Sequence, residues 1–322
     1  MGRKIIFGHM LLVFMVFLAC TREQQTTEQI NLEAKQEQLL FKQNWQGKSD
    51  YEQAEQIYEI APIPQIHLWT QYQQQYWEQA NPQYHSANDF KWQKYGSGIK
   101  ITFYTGSNTD IQFPPQMFGL PVIRIGGWSR VATNLTSLTI PDSVIYIGSD
   151  AFWDNQLTSV IIGSGVTSIG NMAFAANQLT EIVIPGNVID IWHGAFNDNQ
   201  LTSLIIPDSV TAIGAAAFAL NQLTCVIIGN GVTVISNHAF VENQLGKINI
   251  PDNVTVIDND AFDRNPLTSI SIGADVLLIR FVDTSTVWNS FVNTYDGNSR
   301  RAGTYTLENG RWFFAQSVDI RF

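Results

Sequence analysis

The stretch Leu201-Thr202-Ser203-Leu204-Ile205-Ile206-Pro207-Asp208-Ser209-Val210-Thr211-Ala212-Ile213-Gly214-Ala215-Ala216-Ala217-Phe218-Ala219-Leu220-Asn221-Gln222 decides the fold. Its pattern recurs every 22 residues, so Leu135, Leu157, Leu179, Leu201, Leu223, Leu245 and Leu267 form one column without insertions. With that Leu as column zero, an aliphatic residue stands at column three, from Leu138 to Ile270, and Ile at column five, from Ile140 to Ile272. Val holds column nine from Val144 to Val276, and Ile holds column twelve from Ile147 to Ile279. Ala-Phe fills columns sixteen and seventeen from Ala151-Phe152 to Ala261-Phe262, and Asn fills column twenty from Asn155 to Asn265.

These columns predict a coil. In Leu-x-x-Leu-x-Ile the last two apolar residues share one side of a short strand and face inward. The first Leu enters the same interior from the preceding turn, and the later Val, Ile and Ala-Phe close the coil around it. A single coil cannot bury enough surface to offset the ordering of its backbone. Stacked coils seal each other's open faces and extend one hydrogen-bond ladder. The fold class is therefore a repeat solenoid with one short strand per 22-residue coil. Column six is Pro at 141, 185, 207 and 251, and Gly at 163, 229 and 273. Both end the strand, since Pro has no ladder donor and Gly accepts unusual dihedrals. The column-twenty Asn reads as turn chemistry, its amide bonding backbone between coils.

The consensus Leu-Thr-Ser-x-x-Ile-Pro-x-x-Val-Thr-x-Ile-Gly-x-x-Ala-Phe-x-x-Asn-Gln resembles the BspA-like (treponemal-type) leucine-rich repeat family, from roughly Gly98 to Phe322. Ile101 to Ile125 looks like that family's degenerate first repeat. Ala302-Gly303-Thr304-Tyr305-Thr306 with Asn309-Gly310-Arg311-Trp312 looks like its C-terminal cap. Independently, Asn309-Gly310 signals a type I′ hairpin. Val287, Trp288, Phe291, Val292 and Tyr295 have helical spacing. The resemblance implies an extracytoplasmic protein that attaches to host matrix proteins, other bacteria or cell surfaces.

The N-terminus reads as an export signal, with Arg3 and Lys4 before the apolar run Ile5 to Ala19. That run is short for a bilayer-spanning helix, which needs ~20 apolar residues. Phe17-Leu18-Ala19-Cys20 resembles a bacterial lipobox, with Phe17 where the family usually has Leu. The resemblance implies a lipid-modified Cys20. Cys225 then reads as a lone thiol and a passive strand residue. The domain reading is a signal peptide (1–19), a lipid-anchored tether (20–28), a helical aromatic-rich segment (29–97), an N-terminal cap with the first repeat (98–134), the repeats (135–280) and a C-terminal cap (281–322). Trp45, Trp69, Trp77 and Trp92 lie in the aromatic segment. They read as the core of a small helical unit, or alternatively as a sugar- or peptide-binding platform.

A net charge of −10 with 14 % charged residues argues against nucleic acid, whose phosphates demand a positive stripe. His67, His85, His193 and His238 have no metal-ligand or triad spacing. Asp258-Asn259-Asp260 begins like a calcium loop but lacks the closing Gly and Glu. No cofactor and no catalysis are expected. The outward face of the strand, at columns two and four, is the candidate site. There Ile161, Val183, Ile205 and Ile227 stand side by side, with Glu181 and Lys247 beside them. The expected partner is a protein of the host matrix or a bacterial surface, bound by a non-catalytic envelope protein anchored through lipid. An envelope or periplasmic scaffold is the alternative.

Overall fold

The computed structural model describes Glu78, Asn81 and residues 83–126, 131, 134–258, 260–279 and 287–316. All of them fall in one compact unit, 77–322. The signal, the tether, Cys20 and most of the segment read as helical lie outside the described residues.

The repeats form the expected coils, and each column of the sequence becomes a line of side chains down the interior. Column zero is fully enclosed from Leu135 to Leu245, as is column seventeen from Phe152 to Phe262. The phenylalanines stack coil on coil. Phe174, Phe196, Phe218 and Phe240 follow one another with ring centroids 5.3 to 5.6 Å apart and rings within 11° of parallel. The stack meets Phe113 at its N-terminal end and Trp288 at its C-terminal end, so aromatic rings from both caps close it.

The coil carries two strands, where one was expected. The first runs through columns two to five, as in Ser159–Ile161, Ser203–Ile206 and Cys225–Ile228. The second covers columns eleven and twelve, as in Tyr146–Ile147, Ser168–Ile169 and Asp190–Ile191. This second ladder is the continuous one. It runs parallel from Leu120–Ile125 through Leu277–Leu278, within an eleven-stranded sheet. The first ladder is split into sheets of three, two and four strands among the described residues. Alternation over two residues is too short to stand out in a sequence, which is why the second strand escaped the pattern.

Three further expectations change. Gly163 and Gly229 are not in the left-handed region; a Cβ there would sit 2.4 and 2.5 Å from the carbonyl carbons of Pro141 and Pro207. Glycine at 163 and 229 is thus set by close approach of the preceding coil, whereas a Cβ at Gly273 would meet nothing nearer than 3.5 Å. The last coil is one residue short between columns nine and twelve, so Leu278 and not Ile279 pairs with Ile257. Lastly, Phe90–Tyr95, at the end of the segment read as helical, is a strand antiparallel to Gly98–Tyr104. Its Phe90 packs on Phe113, so the N-terminal cap takes in residues before Gly98.

Left-handed backbone recurs at columns fifteen and nineteen, for instance at Ala216 (φ 53°) and Leu220 (φ 56°), and Gly194 is the glycine among these positions. At the C-terminal end, the helix Val287–Gly297 buries Trp288, Phe291, Val292 and Tyr295. The hairpin Gly303–Glu308 and Arg311–Gln316 turns at Asn309 (φ 51°) and Gly310 (φ 77°), the dihedrals of a type I′ turn. It pairs antiparallel with Ser269–Ile272 and so covers the open edge of the first ladder.

Candidate functional site

The first-strand wall presents the residues singled out in the sequence. Columns three and five point inward and are buried, as Leu204 and Ile206 show. Columns two and four therefore face outward by alternation. Ile161, Val183, Ile205 and Ile227 are all half-buried there. Ile205 and Ile227 are direct partners in parallel pairing, and Ile161 pairs with Thr139. Val183 lies in a stretch assigned to no strand, so the ladder breaks at the middle of the stripe. Glu181 is half-buried and Lys247 exposed. They stand three coils apart along column two, about 14 Å at strand spacing, too far to form one ion pair. Cys225, in column two between them, is half-buried on the same face.

The second-strand wall carries a cluster that the sequence reading missed. Lys100, Arg124, Tyr146, Ser168 and Asp190 are successive in-register partners across five strands. The Arg124 guanidinium lies 4.0 Å from the Tyr146 ring centre and 4.7 Å from that of Tyr95, and donates to the Tyr95 hydroxyl at 2.7 Å. Arg124 Nε is buried with no partner among the described residues. Trp192 is 49 % exposed, and its indole Nε1 donates to Ser168 Oγ at 3.0 Å. A signal exists in the sequence, since column thirteen is Gly at 148, 170 and 214 but Trp at 192.

His85 and His238 serve local structure. His85 Nδ1 accepts from the Gln112 amide at 3.1 Å, and its ring meets Tyr104 edge-on. His238 lies 3.9 Å from Asp260, where Asp260 occupies a left-handed repeat turn. Among the described residues no three His, Cys, Asp or Glu side chains are grouped to hold a metal ion. A shallow depression of 270 Å³ at the N-terminal end, lined by Phe103, Tyr104, Gly106, Ser107, Asn108, Thr109 and Asn134, includes none of the candidate residues.

The model of the BspA type leucine-rich repeat region matches six copies, over residues 100–224 and 167–281, which is more than half of the chain. The chain belongs to the BspA-type leucine-rich repeat family. A leucine-rich cell surface protein from Faecalibacterium prausnitzii is 26 % identical, with a TM-score of 0.53 over 71 % of this chain and 60 % of that one. The chain thus spans about 60 % of the length of that relative. The leucine-rich repeat proteins of T. pallidum and Bacteroides ovatus are 22 % and 20 % identical, with TM-scores of 0.44 and 0.41. They cover 61 % and 60 % of this chain, and are themselves covered over 86 % and 66 %. No curated protein matches. BspA-type solenoids are generally non-catalytic binding scaffolds and typically cell-surface proteins. No helix among the described residues is long and apolar enough to cross a membrane.

Proposed function

We propose that this BspA-type protein is a non-catalytic envelope protein that holds protein partners against its first-strand wall. The observation that carries the reading is the line of Ile161, Val183, Ile205 and Ile227, four half-buried β-branched side chains side by side on an outward face. Such a strip gains from desolvation by a partner, while Glu181 and Lys247 at its margins supply charges that select register. Adhesion to host matrix or bacterial surface proteins fits an array held at the cell surface. A pull-down of the secreted protein against matrix and envelope extracts tests it, with the Ile161→Asp/Ile205→Asp variant alongside. A matrix partner captured by the parent and lost by a folded variant supports the reading. Equal capture of envelope components alone by both proteins favours the scaffold alternative and removes the stripe from consideration.

Attachment through a lipid on Cys20 belongs to the same proposal and rests on the lipobox resemblance. Acylation turns the cysteine sulfur into a thioether, so a lipidated Cys20 cannot also form a disulfide with Cys225. Mass spectrometry of the membrane-extracted protein decides between the two. A diacylglyceryl-modified N-terminal peptide supports the anchor, and a Cys20–Cys225 disulfide peptide ends it.

A further inference from the structure

We propose that the second-strand wall binds an acidic oligosaccharide across Lys100, Arg124, Tyr146, Ser168 and Trp192. This site lies on a different wall from the protein-binding stripe and does not depend on it.

Charge is the first argument. Lys100 and Arg124 are in-register neighbours on adjacent parallel strands, two like charges side by side on a protein of net charge −10. Neighbouring like charges on a sheet repel, and an anion lying between them relieves that repulsion. Arg124 is held for this task. The rings of Tyr95 and Tyr146 fix its guanidinium by cation–π contact and one hydrogen bond. A planar, oriented guanidinium suits a carboxylate better than a mobile lysine does.

The aromatic geometry is the second argument. Trp192 stands at column thirteen between Gly170 of the preceding coil and Gly214 of the next, so no side chain of its own column stands beside it, and it is 49 % exposed. Its one polar donor is already engaged by Ser168 Oγ. What it offers a ligand is therefore the exposed part of its ring. The negative face of an aromatic ring attracts the weakly positive C–H bonds that line one side of a pyranose. From Lys100 to Ser168 the row spans three strand steps, about 14 Å. A short acidic sugar chain can thus set a carboxylate at the basic end and a ring against the indole. Asp190, exposed at the far end of the row, repels a second carboxylate there and accepts hydroxyl protons. An acidic peptide without proline or aromatic side chains would satisfy Lys100 and Arg124 but leave the exposed indole unused.

Affinity electrophoresis and calorimetry of the full secreted protein test this. The probes are polygalacturonate, alginate and hyaluronan, with methyl-esterified polygalacturonate (rings without charge) and polyglutamate (charge without rings) beside them. At least one polyuronate is expected to bind, about tenfold more tightly than either control polymer. Trp192→Ala and Lys100→Gln are each expected to weaken it by about tenfold, with unchanged thermal melting because both side chains lie at the surface. No binding to any of the three polyuronates overturns the proposal. So does unchanged affinity in Trp192→Ala, or polyglutamate binding as tightly as the sugars.

Discussion

The Nδ2 amide of Asn199 donates to the carbonyl of Phe174 in the preceding coil at 2.9 Å. Its Oδ1 accepts from the Leu179 amide at 3.0 Å, which closes its own coil. The same clasp recurs between Asn221 and Phe196 and between Asn243 and Phe218. One buried side chain thereby satisfies backbone groups in two coils.

Asn199→Ala should therefore cost more than a surface change. It leaves the Leu179 amide unpaired in the interior, at about 1–3 kcal/mol, while the Phe174 carbonyl keeps the Asn177 side-chain amide at 3.0 Å. Asn199→Asp, which keeps the acceptor and loses the donor, should be intermediate or worse according to its charge. Denaturant unfolding of the three proteins measures this, and an Ala variant as stable as the parent would show the clasp to be dispensable.

The ring stack predicts a graded response. Phe196→Leu should lose about 1 kcal/mol and Phe196→Ala about 3–5 kcal/mol, because the neighbouring rings, tied to their own coils, cannot collapse into the gap. Thermal melting should order the parent, Leu and Ala proteins in that sequence.

Glycine at column six gives a paired test. Gly163→Ala places a Cβ 2.4 Å from the Pro141 carbonyl carbon and should separate the two coils. Gly186→Ala meets nothing within 4 Å and should be neutral, or stabilising by up to about 1 kcal/mol. Equal melting temperatures for the two variants would show that coil contact does not select this glycine.

Leu220 is exposed, with its backbone in the left-handed region. Leu220→Gly removes a conformational cost of about 1–2 kcal/mol and adds a chain-entropy cost of about 0.5–1 kcal/mol. A small net gain is expected from denaturant midpoints, and a loss above that size would place a packing role on this leucine.

The C-terminal cap should fail in base. Tyr305 is fully buried, and burial pushes its hydroxyl up to about 12, with the neighbouring Tyr295 adding to the rise. Tyr295 is raised in the same direction by burial, while it donates to the Gly273 carbonyl at 2.7 Å. A phenol with a raised folded value favours the neutral form, so its contribution is complete below the ordinary value of about 10. That contribution is lost as pH climbs through about 12. Loss of near-ultraviolet ellipticity between those limits should be smaller in Tyr305→Phe, and an identical profile would place the transition elsewhere.

The interior was legible because a 22-residue period repeats the same physical demand seven times. Inward columns, the Asn clasp, the Phe stack and the Asn309-Gly310 turn each depend on local spacing, and spacing is what a sequence records. Column six was read correctly as a turn but for the wrong reason, since the need for glycine comes from the Pro141 and Pro207 carbonyls one coil away. The second strand, the one-residue contraction at Leu278 and the meeting of Tyr95 with Arg124 depend on register between segments, which only stacking creates. Sequence alone therefore determined which side chains lie inside this solenoid. Tertiary structure decided which surface groups become neighbours, because contacts between coils are fixed by packing of the whole array and leave no periodic trace in any one coil.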